Sequence, residues 1–195
     1  MKLRCFIWVN AFEQVKRFMR RMVYYVASSI DGYISKPGDD ISGYVGEGNG
    51  VTKYLSDLAN FDTVVMGRNT YEFGYKYGLK PGQAPYKNMR HYIFSETLKF
   101  ETHDSSVNIC SPDIGIIQDL KQENGTDIYL CGGGTFAGWL LDHKQIDILK
   151  IKLNPFIAGQ GTRLFGKSVS SYSTQLIDTA QYDKGLQIMT YRLVY

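Results

Sequence analysis

The sequence lacks the residues that cross-link a chain or bind a structural metal ion. Its 195 residues include three cysteines, Cys5, Cys110 and Cys131, an odd number spread far apart along the chain. This number and spacing indicate neither a disulfide framework nor a zinc-binding pair. The three histidines are equally scattered, which favours packing or surface roles over metal ligation. We therefore expect no metal site and a reducing compartment, the cytoplasm.

Neither sign of charge dominates the chain, and no apolar run is long. The sequence has 22 Lys and Arg against 19 Asp and Glu, a formal net charge of +3. A nucleic-acid-binding surface usually shows a clustered basic stripe, so we expect no nucleic-acid partner. The apolar stretch within residues 1–11 is too short to span a bilayer and lacks a small-residue cleavage site. We therefore expect no membrane span and no secretory signal.

The first 21 residues differ in character from those that follow. Their apolar stretch leads into a basic cluster of Lys16, Arg17, Arg20 and Arg21, which is typical of an amphipathic anchor or a transit segment. The alternative is an upstream extension with the natural start at Met22, which the clean strand pattern from that residue favours. We predict an N-terminal extension at residues 1–21. We also predict one domain at residues 22–195, long enough to bury a full core.

Residues 127–141 join a strand, a glycine turn and a helix. A short apolar run stops at Gly132, Gly133 and Gly134, and a helical apolar pattern follows with Phe136 and Trp139. Glycines let a backbone approach a ligand closely, and the first amides of a helix point outward with the positive end of its dipole. A pyrophosphate fits such a junction. The alternative is that the glycines only make a tight turn.

A second junction of this kind follows a short apolar run at residues 63–66. Gly67 stands at the hinge, and Arg68, Asn69 and Thr70 open the next helix. An arginine fork matches the geometry of a phosphate group. Taken alone, an arginine at a helix start is more often a solvated surface residue.

Strand and helix patterns alternate along the rest of the chain. Strand patterns occupy residues 22–29, 90–95, 107–110 and 146–153, a helix pattern occupies 51–61, and a hairpin pattern occupies 176–179 with 186–194. Ser111 is predicted as the N-cap and Pro112 as the first residue of another helix. Residues 35–50 form a glycine-rich loop of a length typical of a lid. The order predicts an α/β fold with a mostly parallel central sheet, an antiparallel C-terminal hairpin and flanking helices.

Four motifs occur in an order that resembles the dihydrofolate reductase-like superfamily, in particular the stand-alone relatives of the reductase domain of riboflavin biosynthesis. The motifs are Ala27 with Ser29-Ile30-Asp31-Gly32, then Val65-Met66-Gly67-Arg68-Asn69-Thr70-Tyr71-Glu72, then Gly132-Gly133-Gly134, and last Pro155 with Gly159-Gln160-Gly161-Thr162-Arg163-Leu164-Phe165. The resemblance covers residues 22–195. It implies the dihydrofolate reductase-like fold and hydride transfer from NADPH to a small heterocyclic or carbonyl substrate.

The resemblance also implies roles for individual positions. The backbone of Ala27 would hold the nicotinamide amide, Arg68 would meet a phosphate, and Ser95 would contact the adenosine side. The residues implied to bind NADPH are Ala27, Gly67, Arg68, Asn69, Thr70, Ser95, Gly132, Gly133, Gly134, Thr135 and Phe136. Substrate would contact Asp31 and Tyr54. Riboflavin-type relatives commonly form dimers, so the resemblance also implies a homodimer.

The proton donor is where the sequence departs from this resemblance. Dihydrofolate reductase places an acid on its first helix, whereas the corresponding start here, Gly50-Val51-Thr52-Lys53, contains no carboxylate. Pterin reduction is therefore disfavoured. Asp31 is the candidate catalytic acid, with Glu47 and Asp57 as alternatives, although Asp31-Gly32 is first of all a turn signal. Donation through water is a further possibility.

Other functions remain open from the sequence. The histidine-glutamate and Pro-Cys-x-x-Cys motifs of a fused zinc deaminase are absent from the sequence, so another protein would supply that step in riboflavin synthesis. The missing acid also fits a nucleotide-binding module that has lost catalysis. A third interpretation is an interaction protein, because 15 tyrosines and 10 phenylalanines suit an interface.

Overall fold

The computed structural model describes residues 19–195, which form ten strands and four α-helices. The predicted N-terminal extension lies outside the described residues except for its last three. The strands are β1 Met22–Ser29, β2 Tyr33–Ser35, β3 Thr63–Gly67, β4 Arg90–Phe94, β5 Val107–Cys110, β6 Ile128–Gly132, β7 Ile148–Asn154, β8 Thr162–Arg163, β9 Ser173–Gln181 and β10 Gln187–Val194. The helices are α1 Asn49–Leu58, α2 Arg68–Phe73, α3 Ile114–Gln122 and α4 Gly134–Asp142.

Eight strands form one sheet in the order β5-β4-β3-β6-β1-β7-β10-β9. The pairings from β5 to β7 are all parallel, whereas β10 runs antiparallel to both β7 and β9. The central strands read as continuous apolar runs because helices cover both faces of a parallel sheet. This architecture confirms the predicted α/β fold with a mostly parallel sheet and an antiparallel C-terminal hairpin.

Two apolar clusters cover the two faces of the sheet. The side chains of β1 alternate between them, with Met22 and Tyr24 on one face and Val23 and Tyr25 on the other. The first face packs against α3 and α4, and the second packs against α1 and α2. Each face therefore buries the apolar side of two helices, which is the main source of stability in a layered α/β domain.

The chain changes direction between β3 and β6, which are neighbours in the sheet. After β3 the chain enters α2 and moves outward to β4, whereas after β6 it enters α4 and crosses β1 to reach β7. The two helices lie on opposite faces, so their first turns diverge from adjacent strand ends. In open α/β sheets the crevice at such a reversal is where ligands bind.

The element boundaries differ from the predictions at several points. The predicted start of α3 at Ser111 and Pro112 is wrong, because Asp113 is the N-cap and its Oδ1 accepts a hydrogen bond from the Gly115 amide at 2.8 Å. A small sheet of β2 and β8 was not predicted, since both strands are very short. Contacts with the domain already begin at Arg20, which is buried and ion-paired with Asp62.

Candidate active site

A large cleft opens at the carboxyl ends of the parallel strands, where the chain reverses direction between β3 and β6. Its volume is about 730 Å³. Its walls come from both glycine turns, from β1, from one side chain of α1, and from the loop that follows β2. Ser35, the last residue of β2, and Asp39 and Ile41 of that loop line the cleft, and all three lie in the predicted lid segment, residues 35–50. The topology therefore brings distant parts of the sequence to one concave surface.

The turn from β3 to α2 forms one wall of the cleft. Gly67 is the N-cap in an extended conformation, and Arg68, Asn69 and Thr70 follow it along the cleft. The Arg68 guanidinium donates from Nε to Glu72 Oε1 at 2.8 Å and from Nη1 to Thr97 Oγ1 at 2.9 Å. Its side chain is 42% exposed. A half-exposed guanidinium fixed on two of its nitrogens is well placed to meet an anion from the solvent side.

The turn from β6 to α4 forms the adjacent wall. The first hydrogen bond of α4 runs from the Ala137 amide to the Gly133 carbonyl at 2.9 Å. The amides of Gly134, Thr135 and Phe136 therefore precede the helical hydrogen bonds and carry the positive end of the helix dipole. All three residues line the cleft. This wall thus offers donors to an anionic ligand.

The glycines of this second turn have different reasons to be glycine. A Cβ on Gly134 would lie 2.1 Å from the carbonyl oxygen of Arg163, so this position is closed by packing against the end of β8. A Cβ on Gly133 would meet only Thr70 Oγ1, at 2.9 Å, and would otherwise face open space. Gly132 has a φ of +122°, which L side chains rarely adopt. Gly133 is therefore the glycine of this turn whose Cβ side is bounded only by Thr70.

Stacked aromatic side chains line the cleft beside the two turns. The rings of Phe94 and Phe136 stack with centroids 4.8 Å apart, and Phe136 stacks on Trp139 at 5.6 Å. Pro112 lines the cleft next to them. Such a surface suits a planar ring system. The predicted phosphate contacts of the two turns lie beside it.

The end of the cleft near β1 is lined by Ala27 and by side chains that carry hydroxyl and thiol groups. Tyr54 Oη and Tyr129 Oη are 2.7 Å apart, and Tyr86 Oη lies 3.2 Å from Cys131 Sγ. Burial raises the pKa of Tyr54, Tyr86 and Tyr129 above the ordinary phenol value, so all three are protonated at neutral pH. Burial likewise raises the pKa of the Cys131 thiol. This end of the cleft therefore presents neutral hydrogen-bond donors.

Most of the predicted site residues meet in this cleft. The predicted residues that line it are Ala27, Tyr54, Gly67, Arg68, Asn69, Thr70, Gly133, Gly134, Thr135 and Phe136. Gly132 lies directly behind the lining as the last residue of β6. Ser95 is not part of the lining, and its Oγ accepts hydrogen bonds from the amides of Thr97 and Leu98. Ser95 thereby shapes the loop from which Thr97 reaches Arg68.

Asp31 does not line the cleft. Its carboxylate accepts hydrogen bonds from Ser29 Oγ at 2.6 Å, from the Ala158 amide at 2.9 Å and from the Gly159 amide at 2.7 Å. The Ser29 hydroxyl and the two amides lower the pKa of Asp31 to about 2. The group is therefore a carboxylate at neutral pH. These contacts favour a role in joining two loops over the predicted role as an acid.

The sequence did not reveal several residues of the site. Phe94, Trp139, Tyr86, Tyr129 and Cys131 all line the cleft, but each lies in an apolar run or a stretch without pattern. Nothing in the local spacing separates them from core residues. The high tyrosine content was interpreted from the sequence as suiting an interface, whereas Tyr86 and Tyr129 line the cleft.

Within residues 19–195 no cluster of three or more His, Cys, Asp or Glu side chains has the arrangement of a metal site. No helix among them is long and apolar enough to cross a membrane.

A family model described as the RibD C-terminal domain matches residues 20–188 of the chain. Among curated proteins, YwjB of Bacillus subtilis (strain 168) is 29% identical over 170 residues, which cover 87% of this chain and 96% of YwjB. Both chains are thus matched over nearly their whole length.

Solved structures share the fold. A riboflavin biosynthesis protein from Shewanella sp. PV-4 has a TM-score of 0.75 and 24% identity, covering 90% of this chain and 99% of that one. Dihydrofolate reductase from Enterococcus faecalis, solved as a complex with NADP(H), has a TM-score of 0.64 and 16% identity, covering 91% and 99%. The central sheet and its flanking helices are therefore of the dihydrofolate reductase-like kind.

Proposed function

This chain belongs to the RibD C-terminal domain family, and on that premise we propose that it is an NADPH-dependent reductase of a small heterocyclic or carbonyl compound. The proposed reaction resembles that of 5-amino-6-(5-phosphoribosylamino)uracil reductase in riboflavin biosynthesis. The observation that carries the proposal is the meeting of two strand-to-helix turns at one cleft, where the Gly133 side of one turn faces Thr70 of the other.

The residues present fit NADPH on chemical grounds. The free amides of Gly134, Thr135 and Phe136 suit a pyrophosphate, and the space at Gly133 is one that a Cβ would fill. We propose that Arg68 binds the 2′-phosphate and that the wall of Phe94, Phe136 and Trp139 supports a planar ring. When bound, NADPH supplies the hydride.

The chain's own groups would orient the substrate and exclude water. The Ala27 backbone lies at the end of the cleft where Tyr54 and Tyr129 present their hydroxyls, so we assign the nicotinamide and the substrate to this end. The lid residues Ser35, Asp39 and Ile41 border the opening. Hydride transfer requires that water be excluded from the substrate C=N or C=O group. A site with few charges and with protonated phenols suits this reaction.

The substrate class is tested by following NADPH oxidation through its absorbance. The purified protein is mixed with NADPH and 5-amino-6-(5-phosphoribosylamino)uracil, and then with a panel of cyclic imines, aromatic aldehydes and dihydropterins. We expect turnover of the pyrimidine or of another imine or carbonyl compound, and no turnover of dihydropterins, because the start of α1 lacks a carboxylate. NADPH binding without turnover on any compound would support the catalytically inactive nucleotide-binding module instead.

We also propose a homodimer in the cytoplasm. Strand β9 is a free edge of the main sheet within the described residues, and Leu176 and Ile177 on it are about half exposed. An edge of this kind is available for pairing with a second chain. Light scattering over a range of concentrations tests the dimer, and a monomer at high concentration would contradict it.

A further inference from the structure

Two lysines on β7 have similar positions but different partners. Lys150 Nζ lies 4.5 Å from the centroid of the Tyr25 ring, and Lys152 Nζ lies 4.6 Å from the centroid of the Tyr54 ring. Residues two apart along a strand share one face, so both lysines lie under α1. Lys150 Nζ also bonds to Asp57 Oδ2 at 2.6 Å. Its charge is therefore neutralised by a carboxylate.

Lys152 has no such neutralisation. It forms no ion pair with any residue from 19 to 195, and burial lowers the pKa of its ammonium. A cation over an aromatic face is attracted to the ring, and this attraction increases when the ring carries negative charge. The two lysines therefore differ in that Lys150 has a carboxylate partner, whereas Lys152 has none within the described residues and lies against Tyr54, the one tyrosine that comes from α1 into the cleft.

Tyr54 also has a second polar neighbour. Its Oη lies 2.7 Å from Tyr129 Oη, and both phenols line the cleft at the end assigned to the nicotinamide and substrate. The Tyr54 ring meets the Tyr25 ring edge-on with centroids 4.9 Å apart, which fixes the ring plane. The hydroxyl is therefore positioned from three sides.

We propose that Tyr54 is the proton donor of the reduction, and that Lys152 and Tyr129 are positioning residues that stabilise its phenolate. This inference rests on the proposed reductase function. The start of α1 lacks a carboxylate, and Tyr54 would supply a proton donor from the same helix.

The step balances with one hydride and one proton. Hydride adds to the electron-poor carbon of a C=N or C=O group, and the π electron pair moves to the nitrogen or oxygen. The Tyr54 O–H bond breaks and its proton goes to that heteroatom. The resulting phenolate lies under the Lys152 charge and beside the Tyr129 hydroxyl, and water restores its proton after product leaves.

The rival donors within the described residues include carboxyl groups, besides the neighbouring Tyr86, Tyr129 and Cys131. Asp57 is held by Lys150 and Lys53, and Asp31 lies outside the lining. Asp39 lines the cleft, but its side chain is 60% exposed and Lys76 lies 3.6 Å away. Asp39 is therefore the carboxyl group against which Tyr54 must be tested.

The kinetic test compares Tyr54→Phe, Lys152→Met and Asp39→Asn, with Lys150→Met as the matched control. The compound turned over in the assay above is the substrate, and kcat and KM are measured at steady state. We expect Tyr54→Phe to lower kcat by about 100-fold or more, the scale of general-acid catalysis, with NADPH affinity unchanged. Lys152→Met should lower kcat without raising KM, and Lys152→Arg should restore most of it. An unchanged kcat in Tyr54→Phe, or its loss in Asp39→Asn alone, would overturn the proposal.

A binding test needs neither cofactor nor turnover. Barbiturate is a planar pyrimidine that is anionic at neutral pH. It therefore imitates a substrate whose nitrogen or oxygen gains negative charge during hydride transfer. Calorimetry on the cofactor-free protein should show barbiturate binding that weakens about tenfold or more in Tyr54→Phe and in Lys152→Met. Lys150→Met should change it less than about twofold, since Asp57 already neutralises Lys150. Absence of binding by the wild-type protein, or equal binding by Tyr54→Phe, would contradict the proposed site.

The two tests separate this inference from the proposed function. If the wild-type protein fails to bind NADPH, the reductase function fails, and the barbiturate result still decides whether Tyr54 and Lys152 form an anion-stabilising site. If NADPH is oxidised normally by Tyr54→Phe, the reductase function stands and the proton donor is another group.

Discussion

The two strand-to-helix turns look alike in sequence but use their glycines differently. At the turn from β3 to α2, a Cβ on Gly67 would lie 3.1 Å from Phe136 Cβ, a close but adjustable contact. At the turn from β6 to α4, a Cβ on Gly134 would enter the backbone of residue 163, whereas one on Gly133 would point to Thr70. Backbone packing therefore requires glycine at position 134, whereas the Cβ side of Gly133 is bounded only by Thr70.

The two turns also differ in the source of their positive charge. The turn after β3 carries a side-chain cation, Arg68, whereas the turn after β6 offers only backbone amides. A guanidinium can discriminate between ligands that differ by one phosphate, such as NADPH and NADH. Backbone amides would bind the pyrophosphate that NADPH and NADH share. The following substitutions test this division, in order of expected effect.

Gly134→Ala should cause the largest loss, and the loss should be in folding. The added methyl group would lie 2.1 Å from the Arg163 carbonyl oxygen, which belongs to the backbone and cannot rotate away. We expect the free energy of unfolding to fall by about 3 kcal/mol or more, measured by urea denaturation. Stability like that of the wild type would mean that the end of β8 does not pack against α4.

Gly133→Val should impair binding more than folding. The backbone of Gly133 has φ −88° and ψ −171°, an extended conformation that valine favours. A Cβ on residue 133 would lie 2.9 Å from Thr70 Oγ1, so that hydroxyl must shift. The free energy of unfolding should therefore fall by about 1 kcal/mol, less than in Gly134→Ala, while NADPH affinity falls by about 2 kcal/mol, roughly 30-fold. Tryptophan fluorescence titration measures the affinity. Unchanged affinity would place the phosphates elsewhere.

Arg68→Ala should distinguish the two cofactors. We expect NADPH binding to weaken by roughly 1 to 3 kcal/mol and NADH binding to stay nearly unchanged, because a charge-assisted contact to one phosphate is lost. The half-exposed ion pair with Glu72 contributes little to stability, so folding should be unaffected. Glu72→Ala is the control for loss of that pair. Equal losses for NADPH and NADH would refute the 2′-phosphate role.

Gly67→Ala should have the smallest effect. The residue has a φ of −79°, which alanine adopts without strain, and the 3.1 Å contact requires Phe136 Cβ to move by a few tenths of an ångström together with the first turn of α4. We expect a stability loss below about 1 kcal/mol by urea denaturation and NADPH affinity within about threefold of the wild type. A loss as large as that of Gly134→Ala would erase the distinction between the two turns.

Much of the fold follows from local pattern. The bounds of β1 and β5 agree with their apolar runs, and the glycine turns lie where strand and helix patterns meet. The N-cap of α3 was misplaced because Ser111 and Asp113 can both cap a helix, and only the structure shows which side chain accepts the bond.

The site was predictable only in part. Arg68 and Gly133 carry local signals, an arginine fork and a glycine at a turn. The contact between Gly134 and the backbone at Arg163 joins parts of the chain far apart in sequence, so no local pattern reveals it. The Tyr54–Tyr129 contact is equally hidden, because a tyrosine in an apolar strand resembles a core residue until the cleft beside it is known.

The most direct test of the central claim is a titration of the purified wild-type protein with NADPH and with NADH. Trp139 lies in the aromatic wall of the cleft, so its fluorescence should be quenched when a cofactor binds there. The account predicts micromolar NADPH binding, on the order of −8 kcal/mol, with clear preference over NADH. Failure to bind either dinucleotide would contradict it, and the meeting of the two turns would then be a feature of the fold alone.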